Sequence, residues 1–199
     1  QYAGVATDEL EDPRPWCEII RQWSTLHPEF AFLPRKFKIA VCGSSQDRAA
    51  IHAHDIGVEL IANAGGEVCC RILAGGGLGR TPVIGSVICE WLEKKHLLTH
   101  LEAILRVYNQ NGRRDNKYKA RIKILVKAMG VDAFREAVEQ EWALVKDGPT
   151  TLTEAEIIRA KSFFTEPAYL VVDDAVARAG LADKCAADPI FANWVKRNT

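Results

Sequence analysis

The stretch EVCCRILAGGGLGRTP, residues 67–82, decides the fold because it joins a strand-like run to a loop built almost entirely of glycine. Residues 67–74 predict a strand, and four of the five residues that follow, 75–79, are glycines. A plain turn would need only one or two. We expect a helix over 83–94 after this loop. A strand, a glycine loop and a helix N-terminus in this order can together hold a phosphate or a carboxylate.

Two further strands are predicted upstream of this stretch. Residues 56–63 form the first arm of a hairpin whose turn is AGG, residues 64–66. Residues 36–43, KFKIAVCG, are predicted as a strand because Phe37, Ile39 and Val41 alternate with Lys36, Lys38 and Ala40. Lys36 and Lys38 therefore share one face of the strand. Two neighbouring lysines repel each other unless an anion lies between them. A solvated edge strand would also suit them, and their spacing alone does not choose between the two interpretations.

Helical spacing of apolar residues predicts further helices at roughly 15–25, 97–110, 119–128, 131–145 and 154–164. The last of them follows the capping-type sequence TLTE. Residues 166–199 are expected to form short helices and loops around Pro167 and Pro189. The expected fold class is α+β, a small mixed β-sheet flanked by helices, with one domain over 1–147 and a helical extension over 148–199.

The charge of the chain is neutral overall but unevenly distributed. Lys plus Arg and Asp plus Glu each number 26 among 199 residues. Residues 33–128 carry 16 basic and 8 acidic residues, whereas residues 1–32 carry 2 and 6, and residues 129–199 carry 8 and 12. A basic middle between acidic flanks favours local recognition of an anion over general attraction to nucleic acid or membranes.

Much of this basic charge lies in NGRRDNKYKARIK, residues 111–123. If the end of this segment is helical, Lys119 and Lys123 share a face while Arg121 points away. A solvated basic helix face would explain the pattern as well as an anionic ligand would.

Several classes of protein and site are not supported. No apolar run approaches the roughly 20 residues of a membrane span, and no signal-peptide pattern opens the chain. The six cysteines form no C-x-x-C or other close metal-ligand pair, since adjacent Cys69 and Cys70 in a strand would point to opposite faces, and this favours reduced thiols in a cytoplasmic protein. His96 and His100 could share a helical face, but no neighbouring carboxylate or cysteine completes a metal site, so no metal ligands are predicted.

Three segments together resemble the sirohaem-dependent nitrite and sulfite reductase family. Residues 33–38, LPRKFK, match a strand of that family, and residues 75–78, GGGL, match its triple-glycine loop. Residues 112–123, GRRDNKYKARIK, resemble its G-N-R-x-D-R-K-x-A-K-x-K segment, from which Arg113 and Asn116 depart. The resemblance covers roughly residues 1–145 and implies the fold of the family's sirohaem domain.

This resemblance implies sirohaem as cofactor, an iron macrocycle whose eight carboxylates need many cationic and backbone donors. It further implies that Lys36 and Lys38 are catalytic, binding the sulfite or nitrite oxyanion and relaying protons. The implied contacts to the cofactor are Arg35, Gly75, Gly76, Gly77, Arg80, Arg114, Lys119, Arg121 and Lys123.

The resemblance also implies parts that this chain does not show. A [4Fe–4S] cluster is expected in the full-length protein, held by close-set cysteine pairs that are absent here. We therefore expect an excised central module, inactive alone, of an oxidoreductase that reduces sulfite to sulfide or nitrite to ammonia with six electrons. The expected partners are a ferredoxin or flavoprotein electron donor and the remainder of the polypeptide, with no nucleic acid and no membrane.

Two other functions remain open at this point. The loop from Gly75 to Arg80 and the basic segment 113–123 could instead hold the phosphates of a nucleotide, although the loop is neither a Walker A sequence nor a strict G-x-G-x-x-G fingerprint. An RNA-binding role for 113–123 is weakened by the neutral overall charge and by the scarcity of aromatic residues other than Tyr118 among the basic ones.

Overall fold

One mixed sheet of four strands, in the order β1-β2-β3-β4, lies at the centre of the fold. The strands are β1 (Ile39–Cys42), β2 (Ile56–Ala62), β3 (Val68–Ala74) and β4 (Ser86–Leu92). β1 pairs parallel to β2, while β2 with β3 and β3 with β4 are antiparallel. The computed structural model describes residues 2–165, 168 and 171–198, and it confirms both the α+β class and the β2–β3 hairpin.

Helices cover this sheet and complete one hydrophobic core. They are α1 (Arg14–Ser24), α2 (Leu97–Asn111), α3 (Ile122–Met129), α4 (Val131–Val145) and α5 (Glu154–Lys161). Trp16, Leu101, Tyr108 and Phe134 are fully buried between these layers. The positions of α1, α2, α4 and α5 agree with the helical spacing in the sequence: α1, α4 and α5 bury an apolar face against the core, and α2 is buried on nearly all sides.

The helix predicted over 83–94 is wrong, because this segment forms strand β4. Gly77 and Val83 exchange two backbone hydrogen bonds of 2.9 Å, and this antiparallel bridge turns the chain back along β3. The free edge of β3 then pairs with SVICEWL, a sequence rich in β-branched and aromatic residues. No helix N-terminus therefore follows the glycine loop.

Two other elements begin later than predicted. The strand expected over 36–43 starts at Ile39, where pairing with Ile56 begins, so that Lys36 and Lys38 precede the strand. The helix expected over 119–128 starts at Ile122, because the Asn116 side chain caps a 3-10 turn by accepting the Tyr118 N–H at 2.9 Å.

The chain divides into two compact units, residues 1–165 and 166–199. The predicted boundary after residue 147 differs from this division because α5 packs into the first unit: Leu152, Ile157 and Ala160 belong to its core. The second unit contains α6 (Asp174–Ala187) and α7 (Pro189–Asn198). Pro189 opens α7, whereas Pro167 lies outside the described residues. None of the helices within the described ranges is long and apolar enough to cross a membrane.

Candidate functional site

The LPRKFK segment (33–38) and the basic segment (111–123) are far apart in sequence but in direct contact. The Arg35 guanidinium donates to the Lys117 carbonyl. The Arg114 guanidinium donates to the Phe32 carbonyl at 2.8 Å and to the backbone and side-chain oxygens of Asn109. These bonds hold the two basic segments side by side.

Tyr108 on α2 lies beneath this junction. Its buried hydroxyl is 2.7 Å from the Ala120 carbonyl oxygen and 3.2 Å from the Arg35 carbonyl oxygen. Burial, followed by the negative charge of Asp55, raises the pKa of Tyr108 to about 12. The phenol therefore stays protonated and acts as a structural donor between the two segments.

Asp55 joins the glycine loop (75–80) to both of these segments. Only 2 % of this residue is exposed. One carboxylate oxygen accepts the Lys38 N–H at 3.0 Å, and the other accepts Nη2 and Nε of Arg121 at 2.8 and 3.1 Å. The Asp55 carbonyl accepts the Gly75 N–H at 2.9 Å. Asp55 was not among the residues predicted from the sequence, although a single acidic residue directly before a buried strand is a signal that could have indicated it.

The glycine loop is a packed part of the fold rather than an open anion cradle. Gly75, Gly76 and Gly77 are all buried. The N–H groups of Gly75 and Gly77 already donate to protein carbonyls, those of Asp55 and Val83. At Gly76 a Cβ atom would lie 2.3 Å from the His54 carbonyl oxygen, so close approach of backbones requires glycine there.

Arg121 and Lys123 hold the far side of this loop. Lys123 is 7 % exposed, and its Nζ donates to the carbonyls of Leu78 at 3.2 Å and Thr81 at 2.6 Å. Arg121 also donates to the Leu78 carbonyl, at 3.2 Å. Burial, and secondarily repulsion by Arg121, lowers the pKa of Lys123. The predicted shared face of Lys119 and Lys123 is therefore wrong: Arg121 and Lys123 converge, while Lys119 precedes α3.

The remaining candidate residues carry cations that the protein itself does not use. Lys36, Lys38, Arg80 and Lys119 are exposed. Within the described residues, the charged groups of these four side chains make no hydrogen bond or ion pair. Ammonium and guanidinium groups left in this state are available to an external anion, and a group with many carboxylates fits such a donor set.

The cysteines do not form a cluster site in the described part of the chain. All six are free, and only Cys42 and Cys70 are buried. No three His, Cys, Asp or Glu residues among those described come together as metal ligands. These residues do not fit the ligand set of a [4Fe–4S] cluster.

Comparison with known proteins matches residues 1–146, the range that contains all three segments, to the family model described as nitrite and sulphite reductase 4Fe-4S domain. The sulfite reductase [ferredoxin] 1 of Mycolicibacterium paratuberculosis is 37% identical over 152 residues, which are 74% of this chain and 26% of that protein. The chloroplastic ferredoxin–nitrite reductase of Arabidopsis thaliana is 29% identical over 143 residues, 69% of this chain and 24% of that protein.

A solved structure of the Mycobacterium tuberculosis NirA protein superimposes on 74% of this chain and 27% of its own, with a TM-score of 0.64 and 31% sequence identity. The chain thus spans about a quarter of the length of the proteins that it matches.

Proposed function

Because the chain belongs to the nitrite and sulphite reductase family, we propose that it is the sirohaem- and substrate-binding module of a longer, cytoplasmic reductase. The reaction is the six-electron reduction of sulfite to sulfide or of nitrite to ammonia. The observation that carries this proposal is the contact of the LPRKFK segment, the basic segment and the glycine loop around Asp55 and Tyr108, with four exposed cations left unpaired among the described residues. Members of the family depend on sirohaem and a [4Fe–4S] cluster.

The cationic residues divide into two roles within this proposal. Arg80 and Lys119 are exposed and bind carboxylates of sirohaem, together with the guanidinium edges of Arg35 and Arg114 that the backbone contacts leave free. Arg121 and Lys123 act from behind, by holding the glycine loop in place. When bound, sirohaem supplies the metal centre at which electrons reach the substrate.

Lys36 and Lys38 bind the substrate oxyanion and hold the protons that its reduction consumes. Both are exposed, they lie two residues apart, and the half-buried Phe37 between them packs against the core. Each ammonium offers three N–H donors to an oxyanion, and each can release a proton as an oxygen leaves. The Lys38 backbone is held by Asp55 on one side and by Ile56, whose N–H donates to the Lys38 carbonyl at 3.1 Å, on the other.

The test compares lysine variants in the complete reductase that carries this domain. Lys36→Ala and Lys38→Ala should each lower turnover at least tenfold, since acid–base groups typically contribute about 10²–10⁴-fold, while the visible spectrum of bound sirohaem persists. Lys127→Ala, which removes an exposed lysine of α3 outside the three segments, is the matched control and should keep full turnover. Unchanged turnover in either lysine variant would contradict the role assigned to that lysine.

A second pair of variants tests the carboxylate contacts. Replacing Arg80 and Lys119 together by alanine should lower the fraction of protein that carries sirohaem, measured from the absorbance ratio of cofactor to protein. Full sirohaem occupancy in the double variant would refute the proposed carboxylate contacts of Arg80 and Lys119, and it would leave the proposed role of Lys36 and Lys38 unaffected.

Ferredoxin is the electron donor in this proposal, because both curated relatives described above are ferredoxin enzymes by name. Turnover of sulfite and of nitrite with reduced ferredoxin, measured beside a flavoprotein donor with NADPH, tests both the donor and the substrate. The nucleotide alternative is not favoured, because the N–H groups of Gly75 and Gly77 are already bonded and the element that follows the loop is strand β4 rather than a helix.

A further inference from the structure

We propose that Asp55 is a positioning residue of the reaction, and that it sets the place of the substrate-binding Lys38 relative to the basic segment. The inference rests on the function proposed above. It assigns a role to a residue that touches neither substrate nor cofactor and acts through three of its neighbours: Lys38, Gly75 and Arg121.

The strand register explains why Asp55 can reach Lys38. Ile39 and Ile56 are partners in the parallel β1–β2 pair, so Lys38 and Asp55 occupy the same position just before their strands. The Lys38 N–H donates to the Asp55 carboxylate, and the Lys38 carbonyl accepts the Ile56 N–H. The backbone of Lys38 is thus held on both sides before the regular strand begins, and only its side chain remains free to move.

The chemistry of Asp55 explains why a carboxylate is needed at this point. A carboxylate with 2 % of its residue exposed is costly unless hydrogen-bonded cations and N–H groups surround it. Arg121 gives two N–H donors to one oxygen, and Lys38 gives its backbone N–H to the other. An amide at this position could accept the Lys38 N–H but would present no negative charge to Arg121. The LPRKFK segment and the basic segment would then no longer be held by one carboxylate.

The glycine loop is tied to the same residue through the backbone. The Asp55 carbonyl accepts the Gly75 N–H, and Arg121, which Asp55 holds, donates onward to the Leu78 carbonyl. A shift of Asp55 would therefore move Lys38, the loop and Arg121 together. Because a misplacement of about 1 Å can cost on the order of 100-fold in rate, this anchor controls turnover even though it lies behind the site.

The test is a double-mutant cycle in the complete reductase, measured as kcat. Asp55→Asn should lower kcat about 10–100-fold in the native background but less than about threefold when Lys38 is already alanine. A residue that acts only on folding would lower kcat by the same factor in both backgrounds, and that outcome would overturn the inference. If Lys38→Ala alone keeps full turnover, the proposed function fails instead, so the two failures are distinguishable.

Two further variants complete the design. Asp55→Glu keeps a negative charge for Arg121 but displaces the carboxylate by one methylene, so it covers the case in which Asp55→Asn does not fold. It should show the same loss of kcat and the same dependence on Lys38; full activity in Asp55→Glu would also overturn the inference. The matched control is Asp47→Asn, since Asp47 likewise accepts a backbone N–H, from Ile51 at 2.8 Å, but lies outside the three segments. This control should keep full kcat in both backgrounds.

Discussion

Replacing Lys123 by methionine separates the structural cations of the site from those available to a ligand. Methionine keeps the length and most of the volume of the side chain but removes the ammonium, which donates to the carbonyls of Leu78 and Thr81. Leu78 keeps a second donor in Arg121, and water can reach the exposed Thr81. The loss is therefore close to that of one hydrogen bond from a charged group, about 1.5–3 kcal/mol.

A loss of this size should be measurable in this chain without cofactor. For a protein of about 200 residues it lowers Tm by about 3–12 °C, and it should lower the urea midpoint without changing the slope of the transition. The matched control is Lys119→Met, because Lys119 is exposed and its ammonium makes no hydrogen bond or ion pair within the described residues; its effect should stay within about 0.5 kcal/mol. Equal unfolding curves for the two variants would refute the argument that Lys123 supports the glycine loop.

Two further predictions concern the glycine loop and the buried His96, which directly precedes α2. Gly76→Ala should destabilise the chain by more than about 3 kcal/mol, because its Cβ would lie 2.3 Å from a backbone oxygen that cannot move aside. The control Gly65→Ala, in the exposed hairpin turn, should cost less than about 1 kcal/mol. Similar urea midpoints for the two variants would contradict the close approach of the backbones at Gly76. Burial lowers the pKa of His96, so the unfolded chain binds its proton first as the pH falls below the ordinary 6.5, and the free energy of unfolding should fall through that window. His96→Gln should flatten this dependence between about pH 7 and 5 in urea titrations followed by circular dichroism, and an unchanged slope would show that other groups cause it.

Local patterns in the sequence were sufficient for much of the fold. The hairpin of β2 and β3 follows from apolar runs on both sides of a glycine turn, where Gly66 has a φ of +82°. Helix α5 follows from its capping box, in which the Thr153 side chain accepts the Glu156 N–H. Turns and caps depend on neighbours within a few residues, so the sequence carries their whole cause.

Whether the segment after the glycine loop forms a helix or a strand depends on the tertiary structure. SVICEWL carries apolar residues that suit either a helix or a strand. It forms a strand because its backbone pairs with the free edge of β3. This edge is formed by residues that precede the loop, and a local pattern does not report whether a strand edge is still unpaired.

The same distinction applies to the candidate site. The sequence alone identified the LPRKFK segment, the basic segment and the glycine loop, because short runs of like charge and of glycine are visible without a structure. Only the fold separated Arg121 and Lys123, which support the loop, from Lys36, Lys38, Arg80 and Lys119, which remain exposed. It also revealed Asp55 as the common anchor of Lys38, Gly75 and Arg121. Burial and partners at long range determine what a charge does, and both arise only when distant segments pack together.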